Sequence, residues 1–201
     1  MQTKAQLMHV YDAIAQNYGG YRRRPWPALA NFLKKVEKSA LILDLGCGNT
    51  PYSNSLKNKK IVGLDFSFGQ LGLARKNLKL LVQADASELP FKSETFDYII
   101  FIAALHHLLN NKQRLQALKE ARRVTKRGGR ILVSVWSRWQ RRFFPLNLFK
   151  ANLLVSFGQY SRFYHLFSQR ELETLTAQAG FRVEKAFKQR NNIFLIGRAW
   201  V

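Results

Sequence analysis

Short apolar runs alternate with stretches of helical periodicity along most of the chain, and this pattern is typical of repeated strand–helix–strand units. Two helical stretches come first, at 5–18 and 26–38, and predicted strands follow at Ala40–Leu45 and Lys60–Asp65. The remaining predicted strands are Leu80–Ala84, Phe96–Ala103, Gly129–Val135, Arg182–Phe187 and Ile193–Ala199, and the remaining helices are Pro51–Leu56, Ser67–Asn77, Gln113–Arg123 and Arg170–Ala179. This order predicts an α/β fold: a Rossmann-like, doubly wound, seven-stranded sheet, mostly parallel, with an antiparallel strand from the C-terminal hairpin.

Length and composition limit the organisation of the chain. With 201 residues, 47% of them hydrophobic, the chain can bury one sizeable core. We therefore expect a single domain, in which 1–39 are helices over a site, 40–135 bind a cofactor, and 136–201 form a substrate-side segment and the hairpin. No apolar run approaches the roughly 18 residues that span a membrane, so we expect a cytoplasmic protein without stable membrane insertion. The one cysteine, Cys47, excludes an intrachain disulfide and a cysteine-based zinc site, and no metal site is predicted.

The net charge favours a polyanionic partner, because 33 Lys and Arg stand against 12 Asp and Glu, which gives +21. A generally basic proteome or a bias towards solubility is the alternative reading. The cations form three clusters, at 22–24, 119–130 and 138–142. Trp136, Trp139, Phe143 and Phe144 interleave with the third cluster, a mixture that grips phosphates and stacks bases but also suits an anionic membrane surface.

The candidate chemistry begins with a glycine turn, Asp44–Asn49, directly after the first strand. Glycines at this place let a ligand lie against the backbone at the carboxyl end of the strand. A dinucleotide site would have a third glycine where Pro51 stands, which weakens a phosphate-binding interpretation. S-adenosyl-L-methionine (SAM) has no phosphate and needs a tight turn and an acid for its ribose hydroxyls. Asp65 at the end of the second strand is placed for that role, and Asp85 after the third strand for the adenine amine.

Between residues 40 and 135 these motifs resemble the class I methyltransferases in order and spacing. They include Asp44-Leu45-Gly46-Cys47-Gly48-Asn49, Ala84-Asp85-Ala86 with Leu89-Pro90-Phe91, and Phe96-Asp97-Tyr98-Ile99-Ile100. Thr50 departs from the pattern, since many members have a third glycine there. The resemblance implies a SAM cofactor held by Asp44, Gly46, Cys47, Gly48, Asn49, Asp65, Phe66, Ser67, Asp85, Ala86 and Ala103. For Asp97 we favour the structural interpretation that it secures the start of a strand.

A narrower resemblance covers nearly the whole chain except Ser137–Gln159. Its segments are Val10-Tyr11-Asp12-Ala13-Ile14-Ala15, Tyr21–Pro27, Ala104-Leu105-His106-His107-Leu108, Val135-Trp136, Arg162–Ser168 and Gln189-Arg190-Asn191-Asn192. Together they look like the tRNA wobble-uridine carboxymethyl methyltransferases. That family esterifies a carboxymethyl group on uridine 34 with SAM, usually with a small zinc-binding activator subunit. The resemblance therefore implies tRNA, through its anticodon stem-loop, as the substrate.

A carboxylate acceptor explains the residue types in these segments. It is ionised at neutral pH, so the site needs no general base, only alignment, partial exclusion of water and cations to hold it. The predicted catalytic residues are His107, at the rim after the fourth strand, and Arg190. The predicted substrate-binding residues are Arg24, Trp26, Trp136, Arg162, Tyr164, His165 and Asn191, with the two aromatic rings of Trp136 and Tyr164 stacking a flipped base.

Structural roles compete with several of these assignments. His107 could simply lie where a helix begins, and Trp26 could anchor the core. His165 could be a half-buried histidine with its hydrogen bonds satisfied. Two other functions also stay open. One is a small-molecule or lipid methyltransferase, acting for example on a quinone precursor, with Phe143–Lys150 and Leu153–Val155 on a membrane. The other is a non-catalytic RNA-binding or scaffold protein.

The third strand is expected at an edge of the sheet. A short apolar edge such as Leu80–Gln83 invites strand addition, and the resemblance implies the zinc-binding activator as the partner there. The alternative is that Lys79 and a covering loop keep the edge monomeric.

Overall fold

A computed structural model describes residues 2–18, 26–52, 56 and 59–200. Its helices are α1 (Lys4–Tyr18), α2 (Pro27–Lys34), α3 (Phe68–Ala74), α4 (Asn111–Val124), α5 (Leu146–Phe149) and α6 (Gln169–Gln178). Its strands are β1 (Leu41–Leu45), β2 (Lys60–Asp65), β3 (Leu80–Gln83), β4 (Phe96–Ile102), β5 (Thr125–Trp136), β6 (Asn152–Phe157), β7 (Tyr160–His165), β8 (Phe181–Gln189) and β9 (Asn192–Ala199).

The main sheet has seven strands in the order β3-β2-β1-β4-β5-β9-β8. Strands β1 to β5 pair in parallel, and β9 pairs antiparallel with both β5 and β8. The predicted α/β fold class is therefore confirmed, as is the predicted edge position of β3. The strand order reverses at β1 and β4, and in such sheets ligands bind beyond the carboxyl ends of the strands at this point.

The sheet is buried because both of its faces are covered. Ile99 and Ile131 pack with Leu118 of α4 and Leu172 of α6 on one face. On the other face α2 covers the sheet through side chains that include Leu29 and Phe32. Strands buried on both faces are apolar at nearly every position, which is why the sequence predicted them as continuous runs. Asp97 secures β1, since its Oδ2 accepts from the Leu41 N–H at 2.9 Å.

Several predicted boundaries differ from the structure. Helix α2 ends at Lys34 instead of residue 38, α3 ends at Ala74 instead of Asn77, and β5 begins at Thr125 instead of Gly129. A second sheet, formed by the β6–β7 hairpin, was not predicted. The predicted helix Pro51–Leu56 falls largely outside the described residues.

The second basic cluster (119–130) is largely engaged in ion pairs near the amino ends of β4 and β5. Its contacts are Lys126–Asp97 at 2.8 Å, Arg127–Glu94 at 3.1 Å, Arg130–Glu184 at 3.0 Å and Arg123–Glu120 at 2.7 Å. This end of the sheet is opposite the carboxyl ends of the strands, so the cluster contributes little to a polyanion surface near a site there. Across the described ranges, no helix is long and apolar enough to cross a membrane.

Two glycines of α3 should respond in opposite ways to alanine. A Cβ at exposed Gly72 would meet nothing within 4 Å, whereas one at Gly69 would lie 3.0 Å from the Asp12 carbonyl oxygen and 3.1 Å from its Cα. We expect Gly72→Ala to raise the free energy of unfolding by about 0.5–1 kcal/mol, because alanine loses less backbone entropy in a helix. Gly69→Ala should lower it, because α1 must move away from α3. Denaturant titration of both variants measures this, and a stable Gly69→Ala would contradict the close approach.

Candidate active site

A cavity of about 460 Å³ opens beyond the carboxyl ends of β1, β2 and β4. Nine of the predicted cofactor residues line it: Gly46, Cys47, Gly48, Asn49, Asp65, Phe66, Asp85, Ala86 and Ala103. The other two, Asp44 and Ser67, are fully buried and do not line its wall. Its volume is in the range of pockets that hold a small organic ligand.

The glycine turn forms the floor of the cavity. Gly46 and Gly48 have φ angles of +69° and +53°, a region that other residues enter only with strain. The N–H groups of Gly46 and Cys47 both donate to the Leu64 carbonyl oxygen, at 2.7 and 3.0 Å, which ties the turn to β2. A Cβ at Gly48 would meet only the Gln70 Oε1, at 3.7 Å, so the backbone there is open to a ligand.

Two buried carboxyls lie at this floor. Asp65 accepts from the backbone N–H of Gly48 at 2.8 Å and of Ser67 at 2.9 Å. Burial nevertheless raises the pKa of Asp65 to about 6, because the backbone hydrogen bonds only partly offset the loss of water. Burial raises the pKa of Asp44 to about 7, although Tyr52 donates its hydroxyl to Asp44 at 2.8 Å. Of the two, Asp65 lines the cavity, so its carboxyl favours a ligand that donates hydrogen bonds or carries positive charge.

The polar groups of the cavity fit SAM. One buried acceptor that lines the cavity, Gln70 Oε1, has no hydrogen-bond donor among the described residues. Asp85 Oδ1 accepts from the N–H and the hydroxyl of Ser87, both at 2.7 Å, and its Oδ2 pairs with Lys4. SAM offers an ammonium, two ribose hydroxyls, an adenine amine and a positive sulfonium, which are the groups that such acceptors bind.

The affinity for SAM should depend on pH through Asp65. In the free protein the pKa of Asp65 is raised to about 6, and the ionised carboxylate is the form that accepts from two hydroxyls. Protonation therefore competes with binding, so the affinity should fall by up to about tenfold per pH unit below pH 6 and level off above about pH 7. Calorimetric titration from pH 5 to 8 measures this. Asp65→Asn should flatten the profile, and equal slopes in both proteins would contradict the assignment.

Helix α1 covers the cavity and is attached at three points. Asp12 Oδ1 accepts from the Ser67 hydroxyl at 2.6 Å and from the Gly69 N–H at 2.9 Å, next to the N-terminus of α3. The Tyr11 hydroxyl bonds to Nε2 of His107 at 2.8 Å. Lys4 forms the ion pair with Asp85. Together these contacts hold α1 over the cavity on the side of Asp85.

Aromatic side chains form the opposite wall. The rings of Trp136 and Tyr164 stack with centroids 4.0 Å apart and an interplanar angle of 18°. Tyr164 is only 2% exposed, so its ring surface is almost wholly covered by protein. Trp136 is half-buried and lines the cavity, and the guanidinium of Arg142 lies 4.9 Å from its ring centroid. Of the two predicted stacking residues, Trp136 is therefore the more exposed, with Tyr164 against one face of its ring and Arg142 close to the ring.

Arg162 brings a buried positive charge to this wall. It is 7% exposed, lines the cavity, and its guanidinium lies 4.9 Å from the Phe157 ring and 5.3 Å from the Tyr164 ring. Burial, helped by the charge of Arg162, lowers the pKa of His107 to about 3. His107 is therefore neutral at physiological pH. Its Nδ1 lies 2.9 Å from the Phe163 carbonyl oxygen and its Nε2 bonds to Tyr11, so both ring nitrogens are engaged.

The structure does not bring every predicted catalytic or substrate-binding residue to the cavity: of the two predicted catalytic residues, His107 lines it and Arg190 does not. Arg190 and Asn191 form the exposed turn between β8 and β9, beside α2, where Gln189 accepts from the Ala28 N–H at 3.3 Å. His165 lies outside the cavity, with Nδ1 at 2.6 Å from Asn152 and Nε2 at 2.7 Å from Glu171. Trp26 does line the cavity. The predicted residue Arg24 lies outside the described residues.

Sequence reasoning assigned no role to several polar residues that line the cavity, among them Lys4, Tyr11, Gln70 and Arg142, or to Asp12, which holds α1 to α3. Tyr11 and Asp12 belong to a segment that carried the narrower resemblance, so that segment contained the signal. The others depend on how α1, α3 and the chain after β5 pack together, and no local pattern marks them.

The glycine turn, the two carboxyls and the sheet order define a SAM-dependent methyltransferase of class I. A family model described as "Methyltransferase domain" matches residues 43–133. A protein of Schizosaccharomyces pombe named tRNA (carboxymethyluridine(34)-5-O)-methyltransferase is 31% identical over 93% of this chain and 93% of its own. This chain therefore belongs to the tRNA carboxymethyluridine methyltransferase family.

Two further proteins, one similar in sequence and one similar in structure, show how far the similarity extends. An Arabidopsis thaliana protein with the same name is 37% identical over 67% of this chain but only 33% of its own length, so this chain spans about a third of that relative. A Haloferax volcanii methyltransferase, solved in complex with the Trm112 methyltransferase activator, superposes with a TM-score of 0.77 at 18% identity. That alignment covers 97% of this chain and 98% of the Haloferax chain, which shows a shared fold.

Proposed function

We propose that this protein transfers the methyl group of SAM to the carboxylate of a carboxymethyl group on the wobble uridine of tRNA, which forms a methyl ester. The observation that carries the proposal is a cavity whose wall combines hydrogen-bond acceptors such as Asp65 with the buried cation of Arg162. A carboxylate beside a flipped base is the acceptor that such a cation and the neighbouring ring of Trp136 suit. Family membership supports the same substrate.

In this proposal the residues of the chain position the reactants and exclude water. When bound, SAM supplies an electrophilic methyl group on a sulfonium. The substrate carboxylate is already ionised, so no proton has to be removed before its oxygen forms the new bond to carbon and the carbon–sulfur bond breaks. Arg162 holds the carboxylate in line. His107, neutral and bonded at both nitrogens, shapes the wall and positions α1 through Tyr11.

The cofactor residues divide the binding between them. Asp65 accepts hydrogen bonds from the ribose hydroxyls. Asp44 is buried behind the glycine turn and orients that turn. Asp85 accepts the adenine amine once its pairing with Lys4 is shared or broken. The chain works as one domain, in which 1–39 close the site, 40–135 hold SAM and 136–201 select the acceptor.

The test is methylation of a defined RNA. Purified protein and radiolabelled SAM are incubated with an anticodon stem-loop that carries carboxymethyluridine at the wobble position, and with a matched stem-loop that carries uridine. We expect label only in the first RNA, and we expect mild alkali to release it, since a carboxylate ester is labile and an N- or C-methyl group is not. Label in both RNAs would mean a different acceptor atom.

A control for SAM binding separates the alternatives. Bound SAM with no label in either RNA, and with label recovered in an organic extract of lipids, would overturn the tRNA assignment in favour of a lipid or quinone-like acceptor. Loss of SAM binding in the intact protein would instead favour a non-catalytic RNA-binding protein.

We also propose that a small zinc-binding activator of the Trm112 type pairs with β3. This strand is the sheet edge, its Leu80 is 58% exposed, and Phe68 next to it in α3 is 60% exposed. An apolar unpaired edge of this kind favours strand addition. Leu80→Asp should abolish co-purification with the activator from the same organism, while Leu154→Asp, at an equally exposed site on β6, should not. Equal recovery of both variants would contradict the site.

A further inference from the structure

The 138–150 loop follows β5 and has a fixed shape in spite of its exposure. Arg138 Nε donates to the Asn147 carbonyl oxygen and its Nη2 to that of Leu148, both at 2.9 Å. In return, Asn147 Nδ2 donates to the carbonyl oxygens of Arg138 at 2.7 Å and of Gln140 at 3.2 Å. Asn147 is only 3% exposed. The loop is therefore closed by hydrogen bonds between its own residues, while several of its other side chains face solvent.

Three aromatic side chains of this loop face solvent. Trp139 is 61% exposed, Phe144 is 69% exposed and Phe149 is 81% exposed. Exposed aromatic clusters on a rigid segment mark an interaction surface more often than isolated apolar residues do. Next to them, the guanidinium groups of Arg141 and Arg142 make no hydrogen bond or ion pair within the described part of the chain, although Arg142 lies over Trp136 and Phe143.

The charged residues along this part of the chain have one sign. Between residues 137 and 165 there are five Lys or Arg residues, Arg138, Arg141, Arg142, Lys150 and Arg162, and no Asp or Glu. The loop is also continuous with the cavity, since Arg142 and Trp136 line it. A partner that meets this surface therefore carries negative charge, offers flat apolar faces, and lies at the mouth of the site.

We propose that the 138–150 loop docks the unpaired nucleotides on either side of the target base, with Trp139 and Phe149 stacking on bases and Arg141 contacting phosphates. This inference rests on the proposed function, because a base held in the cavity leaves its neighbours in the RNA at the mouth. Unpaired bases stack on aromatic rings without regard to sequence, and arginines follow the backbone. A membrane would use the same charge and the same apolar side chains, and the tRNA substrate proposed above favours the RNA.

The test compares Trp139→Ala/Phe149→Ala with Trp200→Ala, which removes a similarly exposed tryptophan at the end of β9. Fluorescence anisotropy measures binding of an anticodon stem-loop, and of the same stem-loop with abasic sites on both sides of the wobble nucleotide. We expect the double variant to bind the intact stem-loop at least tenfold more weakly and Trp200→Ala to stay within twofold. Abasic sites should weaken binding to the unaltered protein but not further weaken binding to the double variant.

Three results would overturn the inference. The double variant could bind the intact stem-loop as tightly as the unaltered protein does. Alternatively, the abasic sites could weaken binding to the double variant as much as they weaken binding to the unaltered protein. The double variant could also lose binding to phosphatidylglycerol vesicles while keeping the stem-loop, which would assign the loop to a membrane. SAM titration of each variant checks that the fold is intact. Failure of the proposed function is distinguishable, because it appears as an absence of ester in tRNA treated with the unaltered protein.

Discussion

Gly46→Ala is expected to cost the most stability of any single change in the glycine turn, about 3 kcal/mol, and to abolish measurable SAM binding. The residue has a φ of +69°, where alanine is strained by roughly 1–2 kcal/mol. In addition, its new Cβ would lie 2.4 Å from the Cβ of Ala104, so one of the two segments must move. Since the turn is tied to Leu64 by two backbone hydrogen bonds, its displacement would deform the floor on which SAM lies.

Gly48→Ala is the matched control for the steric part of this effect. Its φ of +53° imposes similar strain, but its Cβ would meet only the Gln70 Oε1, at 3.7 Å. We expect a loss of about 1–2 kcal/mol in the free energy of unfolding without ligand. Denaturant titration of both variants isolates the contact with Ala104 as their difference. Equal stabilities would mean that the Ala104 segment moves aside at little cost.

Arg162→Ala should lower kcat/KM for the carboxymethylated stem-loop by about 100-fold or more. A charge-assisted hydrogen bond to a carboxylate contributes more than a neutral one, and a buried carboxylate left without its cation adds a further penalty. Arg162→Lys should recover only part of the activity, because an ammonium lacks the planar fork. Steady-state kinetics on the stem-loop measures both variants, and SAM titration should show affinities within about threefold of the unaltered protein, since Arg162 is not among the residues assigned to SAM.

Arg182→Ala controls for the general effect of removing an arginine that packs on an aromatic ring. The Arg182 guanidinium lies 5.1 Å from the Trp200 ring, but Arg182 does not line the cavity. Its replacement should leave kcat/KM within about twofold. If Arg162→Ala and Arg182→Ala behaved alike, or if Arg162→Ala lowered SAM affinity as much as activity, Arg162 would not hold the acceptor.

The cofactor half of the site was predictable because its geometry follows from local patterns. An apolar run followed by a glycine turn forms a strand and a tight turn from near neighbours in sequence. Parallel pairing then brings the ends of β1, β2 and β3 to one edge, so Asp65 and Asp85 meet there. For this reason the residues named for SAM surround one cavity in the structure.

The half of the site proposed to bind the methyl acceptor was less predictable. It depends on the β6–β7 hairpin, which the sequence pattern did not reveal. Side chains alternate along a strand, so Arg162 and Tyr164 share one face of β7 and line the cavity, while His165 lies on the other face. Had β7 been recognised as a strand, this alternation would have separated His165 from the other two. Arg190 presents a different case. It lies in the exposed turn between β8 and β9, and both strands were predicted, so the pattern of strands did not show where its side chain would lie.

The sequence by itself determined the succession of strands and helices along the chain, the glycine turn, the carboxyls near it and the family, because each depends on residue types at short and regular spacing. Only the tertiary structure decided that α1 covers the cavity through Tyr11 and Lys4 and that Arg162 is its buried cation. It also decided that the second basic cluster is engaged in ion pairs at the far end of the sheet. These outcomes depend on contacts between residues far apart in the chain, and hydrophobic periodicity carries no information on which distant side chains meet.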